Sequence, residues 1–207
     1  MQKPIEILTG GASRQGDYYS GFPTEAIGGK NWQPVLKEGA KMVDKYFKWQ
    51  LGFGSLLGAV REDDHCVHHD IDLDIDVLIT DRKEVEKIQE FKQSVIDRGY
   101  RFIRAQMYDG LTMSLLFVGP GNILLDYGFF YHFWGSDLLN VGIYGIVVRP
   151  EYALESTTIK IGDYDFYIPK EYDKYLTGRY GDWRTPKHSK GHWYNDAGKY
   201  FVPLDSR

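Results

Sequence analysis

Four aspartates stand two residues apart at Asp70, Asp72, Asp74 and Asp76, with Ile71, Leu73, Ile75 and Val77 between them. Strict alternation is the period of a β-strand, so the acids share one face and the aliphatic residues the other. Side chains at i and i+2 lie roughly 7 Å apart along a strand, and like charges at that range repel. Two arrangements relieve the repulsion. A solvated edge strand uses the charge to block aggregation, which suits Asp74 and Asp76. A divalent cation neutralises it, which suits Asp70 better, because a polar, His-rich stretch precedes it and Gly54-Ser55 lies upstream. Asp126 is a lone acid in the apolar run Ile123 to Phe130. Such an acid is either buried with a partner or aimed at a site. A neighbouring strand that brings Asp126 beside Asp70 and Asp72 would give three carboxylates for one or two Mg²⁺ or Mn²⁺ ions. Ions held in that way clamp the oxygens of a phosphoryl group and bring an acceptor hydroxyl into line.

Other residues could join this chemistry. A Gly54-Ser55 turn leading into a helix lets backbone N–H groups approach a phosphate. Arg61 has a fork suited to phosphate or carboxylate, with a surface salt bridge as the plainer use. His65, Cys66, His68 and His69 invite a zinc reading, but their spacing is too tight for a usual structural site, and His68 and His69 point to opposite sides of an extended chain. His188 and His192 are read as solvated or substrate-contacting.

The elements that must position these residues follow from pattern. The first thirty residues carry Gly10-Gly11 and Gly28-Gly29 and show no sustained period; they read as an arm or loop packed on the domain. Residues 31–207 read as one domain. Asn31 can cap a helix whose apolar positions Val35, Leu36, Ala40, Val43, Tyr46 and Phe47 run at three-four spacing to Gln50-Leu51. Gly52-Phe53-Gly54 breaks it, and Ser55 to Val60 reads as a short helix. Asp70 to Thr80 is the acidic strand. Asp81 with Glu84 matches a capping box, opening a helix that stops at Gly99. Tyr100–Arg104, Leu111–Val118, Ile123–Tyr131 and Ile143–Val148 read as strands. Thr158–Ile168 reads as a hairpin about Gly162-Asp163. Pro169 is placed at the start of a helix over Lys170–Leu176, with an irregular end from Thr177. The order gives an α+β class, with a mostly antiparallel or mixed β-sheet flanked by helices.

Composition narrows the function. A length of 207 residues supports one compact domain or two small ones. The net charge of −4 and the lack of a long basic stretch disfavour a nucleic-acid partner. One cysteine rules out an internal disulfide framework and fits a reducing compartment. No apolar run reaches the ~20 residues of a membrane span, and no signal-peptide core follows Met1. The expectation is a soluble, cytoplasmic protein. The 16 Tyr and 5 Trp suit cores and also sugar or base pockets.

Gly54-Ser55-Leu56-Leu57-Gly58-Ala59-Val60-Arg61, followed by His69-Asp70-Ile71-Asp72, resembles the LicD/fukutin family. The tail agrees: Tyr175-Leu176, Arg179-Tyr180-Gly181-Asp182-Trp183 and Thr185-Pro186 look like the family's closing motif. The resemblance runs from about Asn31 to Pro186. It implies a nucleotidyltransferase fold and transfer of a phospho-substituent, such as phosphocholine or ribitol phosphate, from a CDP-activated donor to a glycan or other hydroxyl acceptor. By matched position, Asp70 and Asp72 would hold the metal, Asp126 would be the third acid, and Gly54 and Ser55 would meet donor phosphate. Arg179, Tyr180 and Trp183 would contact the ligand, folding back over the cleft. The loop from Arg61 to the acids is slightly shorter than the family pattern, which leaves Asp72 and Asp74 as an alternative pair. Val67-His68 stands where the family has Pro-Trp. An NTP-using nucleotidyltransferase, acting on a small molecule or macromolecule, draws on the same Gly-Ser and Asp-x-Asp elements. A non-catalytic nucleotide- or glycan-binding module is the third reading, and it does not need three acids.

Overall fold

A computed structural model describes residues 6–9, 23, 25–132, 138–140, 146–148 and 150–186. Its centre is a mixed sheet. The acidic strand, β3 (Asp72–Ile79), pairs in parallel with β6 (Ile123–Tyr131), and β6 pairs antiparallel with β5 (Leu111–Gly119). β5 pairs antiparallel with β4 (Arg101–Tyr108), and β1 (Glu6–Thr9) adds to the edge of β4. On the other side β3 pairs antiparallel with β2 (Lys48–Leu51). The order is therefore β1-β4-β5-β6-β3-β2, with β7 (Leu138–Asn140) and β8 (Ile146–Val148) continuing from the end of β6. The class is the expected α+β one, a mixed sheet flanked by helices.

The aliphatic face of β3 makes the core. Leu73, Ile75 and Val77 are buried with Leu125, Tyr127 and Phe129 of β6. α1 (Gln33–Val43) lies over them, the Tyr127 hydroxyl donating to the Gly39 carbonyl at 3.1 Å. Phe91 of α3 (Ile88–Asp97) meets Tyr127 edge-on, ring centroids 4.9 Å apart. With this face sealed by helices, the acids of β3 are left on the opposite side of the sheet. Among the described residues no helix is long and apolar enough to cross a membrane.

Several boundaries differ from the pattern-based ones. The helix from Asn31 ends at Val43, and Lys48–Leu51 is a strand; three of its four residues are buried, so it shows no alternation to read. Asp70 and Ile71 precede the acidic strand. The capping box at Asp81 and Glu84 forms, but it opens a short 3₁₀ stretch, Arg82–Lys87, ahead of α3. Pro169 closes the hairpin strand β10 (Tyr164–Pro169), which pairs with β9 (Ser156–Ile161), and it starts no helix. Between β8 and β9 lies the single-turn helix α4 (Pro150–Ala153). The last described helix, α5, runs Tyr172–Tyr180, past the expected end at Leu176. Of the first thirty residues, Ile27 to Lys30 cross beside the loop before β3; most of the rest, like His188 and His192, lie outside the described residues.

Candidate metal and phosphate site

Three of the aspartates gather. One carboxylate oxygen from each of Asp70, Asp72 and Asp74 lies within 4.8 Å of the other two. Asp72 and Asp74 do so because strand alternation points both to one face. Asp70 reaches them from the loop, where its N–H donates to the Val67 carbonyl at 2.9 Å. The floor beneath them is the start of α2 (Phe53–Arg61). Gly54 N–H donates to Asp74 Oδ2 at 3.0 Å, and Ser55 Oγ accepts from Asp74 N–H at 2.8 Å. A Cβ on Gly54 would overlap Asp70 Oδ2, so glycine is what lets the carboxylates sit this close to the helix. Phe53 begins the turn in the left-handed region at φ 40°, a costly conformation for an aromatic residue, of the kind that collects at functional sites.

Burial and like charge dominate the electrostatics. Burial and the neighbouring Asp72 and Asp70 hold the Asp74 carboxyl well above the ordinary range. Asp72 is raised for the same reasons, and Asp70 by burial; these two share a side-chain hydrogen bond. Protons can hold such a cluster together, and so can a cation. All the donors are hard carboxylate oxygens at half-buried positions, which suits a hard divalent cation over softer ions. The residues fit the cation that the sequence implies.

Asp126 stands beside this trio and outside it. Parallel pairing sets it directly opposite Asp74, and its Oδ1 accepts from Ser114 Oγ at 2.5 Å. Burial pushes its carboxyl up to about 6, against the opposing pull of Arg104. The pairing registers align Arg104, Leu116, Asp126 and Asp74 across four strands on one face. Arg104 is buried at the far end of this row, and its charge favours the ionised forms of Asp126 and Asp72.

The closing segment comes back over α2. The Arg179 guanidinium is buried and stacks on Phe53, 3.8 Å from the ring centroid. Tyr180 is half-buried, and its phenol is pushed up to about 12 by burial, with smaller contributions from Asp74 and Asp70. Trp183 takes a different place: its ring is buried in the core and its N–H donates to Asp173 Oδ1 at 3.1 Å. Arg61 is held by Glu62 and by the Trp183 carbonyl, 3.1 Å from its Nη1. The Arg61 side chain thus ties the backbone at Trp183 to α2, and the Trp183 ring ties it to α5.

The His-rich stretch does not assemble into a ligand set: among the described residues the Asp70–Asp72–Asp74 trio is the one such group. His65 Nδ1 lies 2.9 Å from the Ala59 carbonyl, and His68 pairs with Asp64 at 2.8 Å. Burial, with Asp64 and Asp70 nearby, pushes the Cys66 thiol up to about 11, the reverse of what a zinc thiolate needs.

The mixed sheet and its flanking helices are the fold that the nucleotidyltransferase resemblance implied, with clustered carboxylates over a Gly-Ser helix start. The family description LicD/FKTN/FKRP, nucleotidyltransferase domain, matches residues 47–172, and the chain belongs to that family. Among solved structures, the lincomycin-bound lincosamide antibiotic adenylyltransferase LnuA is similar, with 14% identity and a TM-score of 0.44, covering 70% of this chain and 84% of that one. Comparison with curated proteins gave no match.

Proposed function

We propose that the protein is a metal-dependent transferase that moves a substituted phosphate, phosphocholine- or polyol-phosphate-like, from a CDP-activated donor to a hydroxyl of a glycan or small molecule. The observation that carries this reading is the trio Asp70, Asp72 and Asp74, gathered on Gly54 in a domain of the LicD/FKTN/FKRP family. These carboxylates would hold Mg²⁺ or Mn²⁺, which when bound offsets charge on the phosphate oxygens. In the reaction, the acceptor oxygen bonds to the donor's substituted phosphorus and the bond to the nucleoside monophosphate breaks. Asp126, with a carboxyl near 6, is suited to take the proton that the acceptor hydroxyl gives up. Arg179 and Tyr180 would meet the donor, one by charge and the other by its amphipathic ring.

Thermal melts with Mn²⁺ or Mg²⁺ test the donor. A ligand of the native state raises the melting temperature by an amount that grows with the logarithm of its concentration over its dissociation constant. CDP-choline or CDP-ribitol is expected to do so more than CTP or ATP, and incubation with the matching hydroxyl acceptor to release CMP. A larger shift with CTP or ATP, with pyrophosphate release, would make the protein a nucleotide-adding enzyme instead.

A further inference from the structure

We infer that the strap Ile27–Gly28 is a positioning element for Asp70, setting the height of that carboxylate over Gly54. The inference rests on the metal-binding reading of the Asp70–Asp72–Asp74 trio. Asp72 and Asp74 are fixed by the ladders of β3, but Asp70 precedes the strand, so no ladder bond locates it. The strap supplies what the ladder does not. Ile27 N–H donates to the Asp70 carbonyl at 2.7 Å and Gly28 N–H to the His68 carbonyl at 3.1 Å. Within the loop, Ile71 N–H donates to Asp70 Oδ1 at 3.0 Å. The Asp70 backbone is thus held at its N–H by Val67 and at its carbonyl by the strap, and its side chain is turned by Ile71.

The strap is itself anchored. Ile27 is 3% exposed and lines one hollow with Trp32, Leu36, Cys66 and Leu73, beside Asp70 and Asp72. The Lys30 N–H closes a turn onto the Ile27 carbonyl at 2.9 Å. Gly28 leaves no slack: a Cβ there would lie 2.5 Å from the His68 carbonyl oxygen and 3.0 Å from its Cα. These are backbone atoms, so strap and loop cannot keep this spacing, and the bond from Ile27 that holds the Asp70 carbonyl is disturbed. The strap also precedes residue 47, where the family match begins. It is a support for the acidic loop drawn from outside the matched region.

Mn²⁺ titration by calorimetry and by the electron spin resonance signal of the free ion tests this. The proteins are the wild type, Gly28→Ala, Ile27→Ala and, as a control, Gly162→Ala. Gly162 has φ 62° in the β9–β10 turn, so its substitution strains the fold away from the acids. Gly28→Ala is expected to weaken Mn²⁺ about ten-fold or more, the scale set by outer partners of metal ligands, while saturating at the same stoichiometry. Gly162→Ala should lower the melting temperature and leave Mn²⁺ affinity in place. If Gly28→Ala fails to fold, Ile27→Ala loosens the anchor without adding an atom and should weaken Mn²⁺ in the same sense. Wild-type affinity in the folded strap variants, or an equal loss in Gly162→Ala, would overturn the strap's role while leaving the metal site standing. No Mn²⁺ binding by the wild type would overturn both.

Discussion

Asp74 and Asp76 are neighbours on one face of one strand, yet they have opposite surroundings. Asp74 is half-buried, touches the N-terminal turn of α2 and has Asp70 and Asp72 within 4.8 Å. Asp76 is 1% exposed; its Oδ2 accepts from the Tyr175 hydroxyl at 2.7 Å and Arg179 is close enough to lower its pKa. One is answered by other acids, the other by a phenol and a guanidinium. Gly52 adjoins Asp76 as Gly54 adjoins Asp70, and a Cβ at either would overlap the carboxylate. The shared geometry shows that a carboxylate on this face is not by itself a ligand. What differs is whether α5 reaches it. The helix covers Asp76 and stops at Tyr180, short of sealing the trio.

The largest expected effect separates the two acids by activity. Asp74→Asn or Asp72→Asn should abolish turnover and Mn²⁺ binding while leaving a folded protein, whose melting temperature without metal stays level or rises as like-charge repulsion is removed. Activity assays paired with melts check this. Full activity in a folded Asp74→Asn protein would return the metal to Asp70 and Asp72 with Asp126.

Stability should separate them the other way. Asp76→Ala strips a buried phenol and guanidinium of the group that answers them, at a cost of about 3 kcal/mol, and Tyr175→Phe should cost about 1 kcal/mol. Chemical denaturation measures both. Mn²⁺ affinity should change less than in any variant of the trio. If Asp76→Ala instead lost Mn²⁺ and kept its stability, the division of the strand would be misplaced.

Much of this was legible in the sequence, and the unread part has physical causes. Alternation identified β3 and its two faces, since a sealed aliphatic face leaves its signature in every second residue. β2 was missed because Trp49, Gln50 and Leu51 are all buried, which hides the period. Gly54-Ser55 was readable as a helix start near the acids, but its hydrogen bonds to Asp74 depend on the packing of α2 against β3. Which acids meet depended on register: pairing Asp74 with Asp126 sets those two opposite each other, and no local pattern specifies a parallel register. The contact of Asp76 with Tyr175 joins distant segments and had no local signal at all. Trp183 looked like a ligand contact by its type and motif; burial of its ring and its bond to Asp173 tell a different story.

The smallest expected effect is a pH slope, and it divides the acids once more. Burial raises Asp76 from an ordinary 3.8 to about 7 and Asp126 to about 6, and it raises the trio as well. Between about pH 4 and 7 the folded chain therefore holds protons that the unfolded chain has released. Stability falls with rising pH wherever the native state binds the more protons, so this contribution is fully present below the ordinary carboxylate range and is lost as pH climbs through 6 and 7. In chelator, the melting temperature should fall by several degrees from pH 5.5 to 8. Mn²⁺ should flatten the slope, because a cation replaces the protons on Asp70, Asp72 and Asp74. A residual slope should survive saturation with metal, since Asp76 and Asp126 lie outside the trio and burial raises both carboxyls, Asp76 against the opposing pull of Tyr175 and Arg179. Asp76→Asn should remove the upper part of that residual slope, near pH 7, and leave the part near pH 6 that belongs to Asp126; Asp74→Asn should reduce the part that Mn²⁺ erases. A melting temperature that rises with pH across this window in chelator would mean that the acids are ionised in the apoprotein. The contrast between a strand end open to a cation and a strand end closed by α5 would then have to rest on something other than protons.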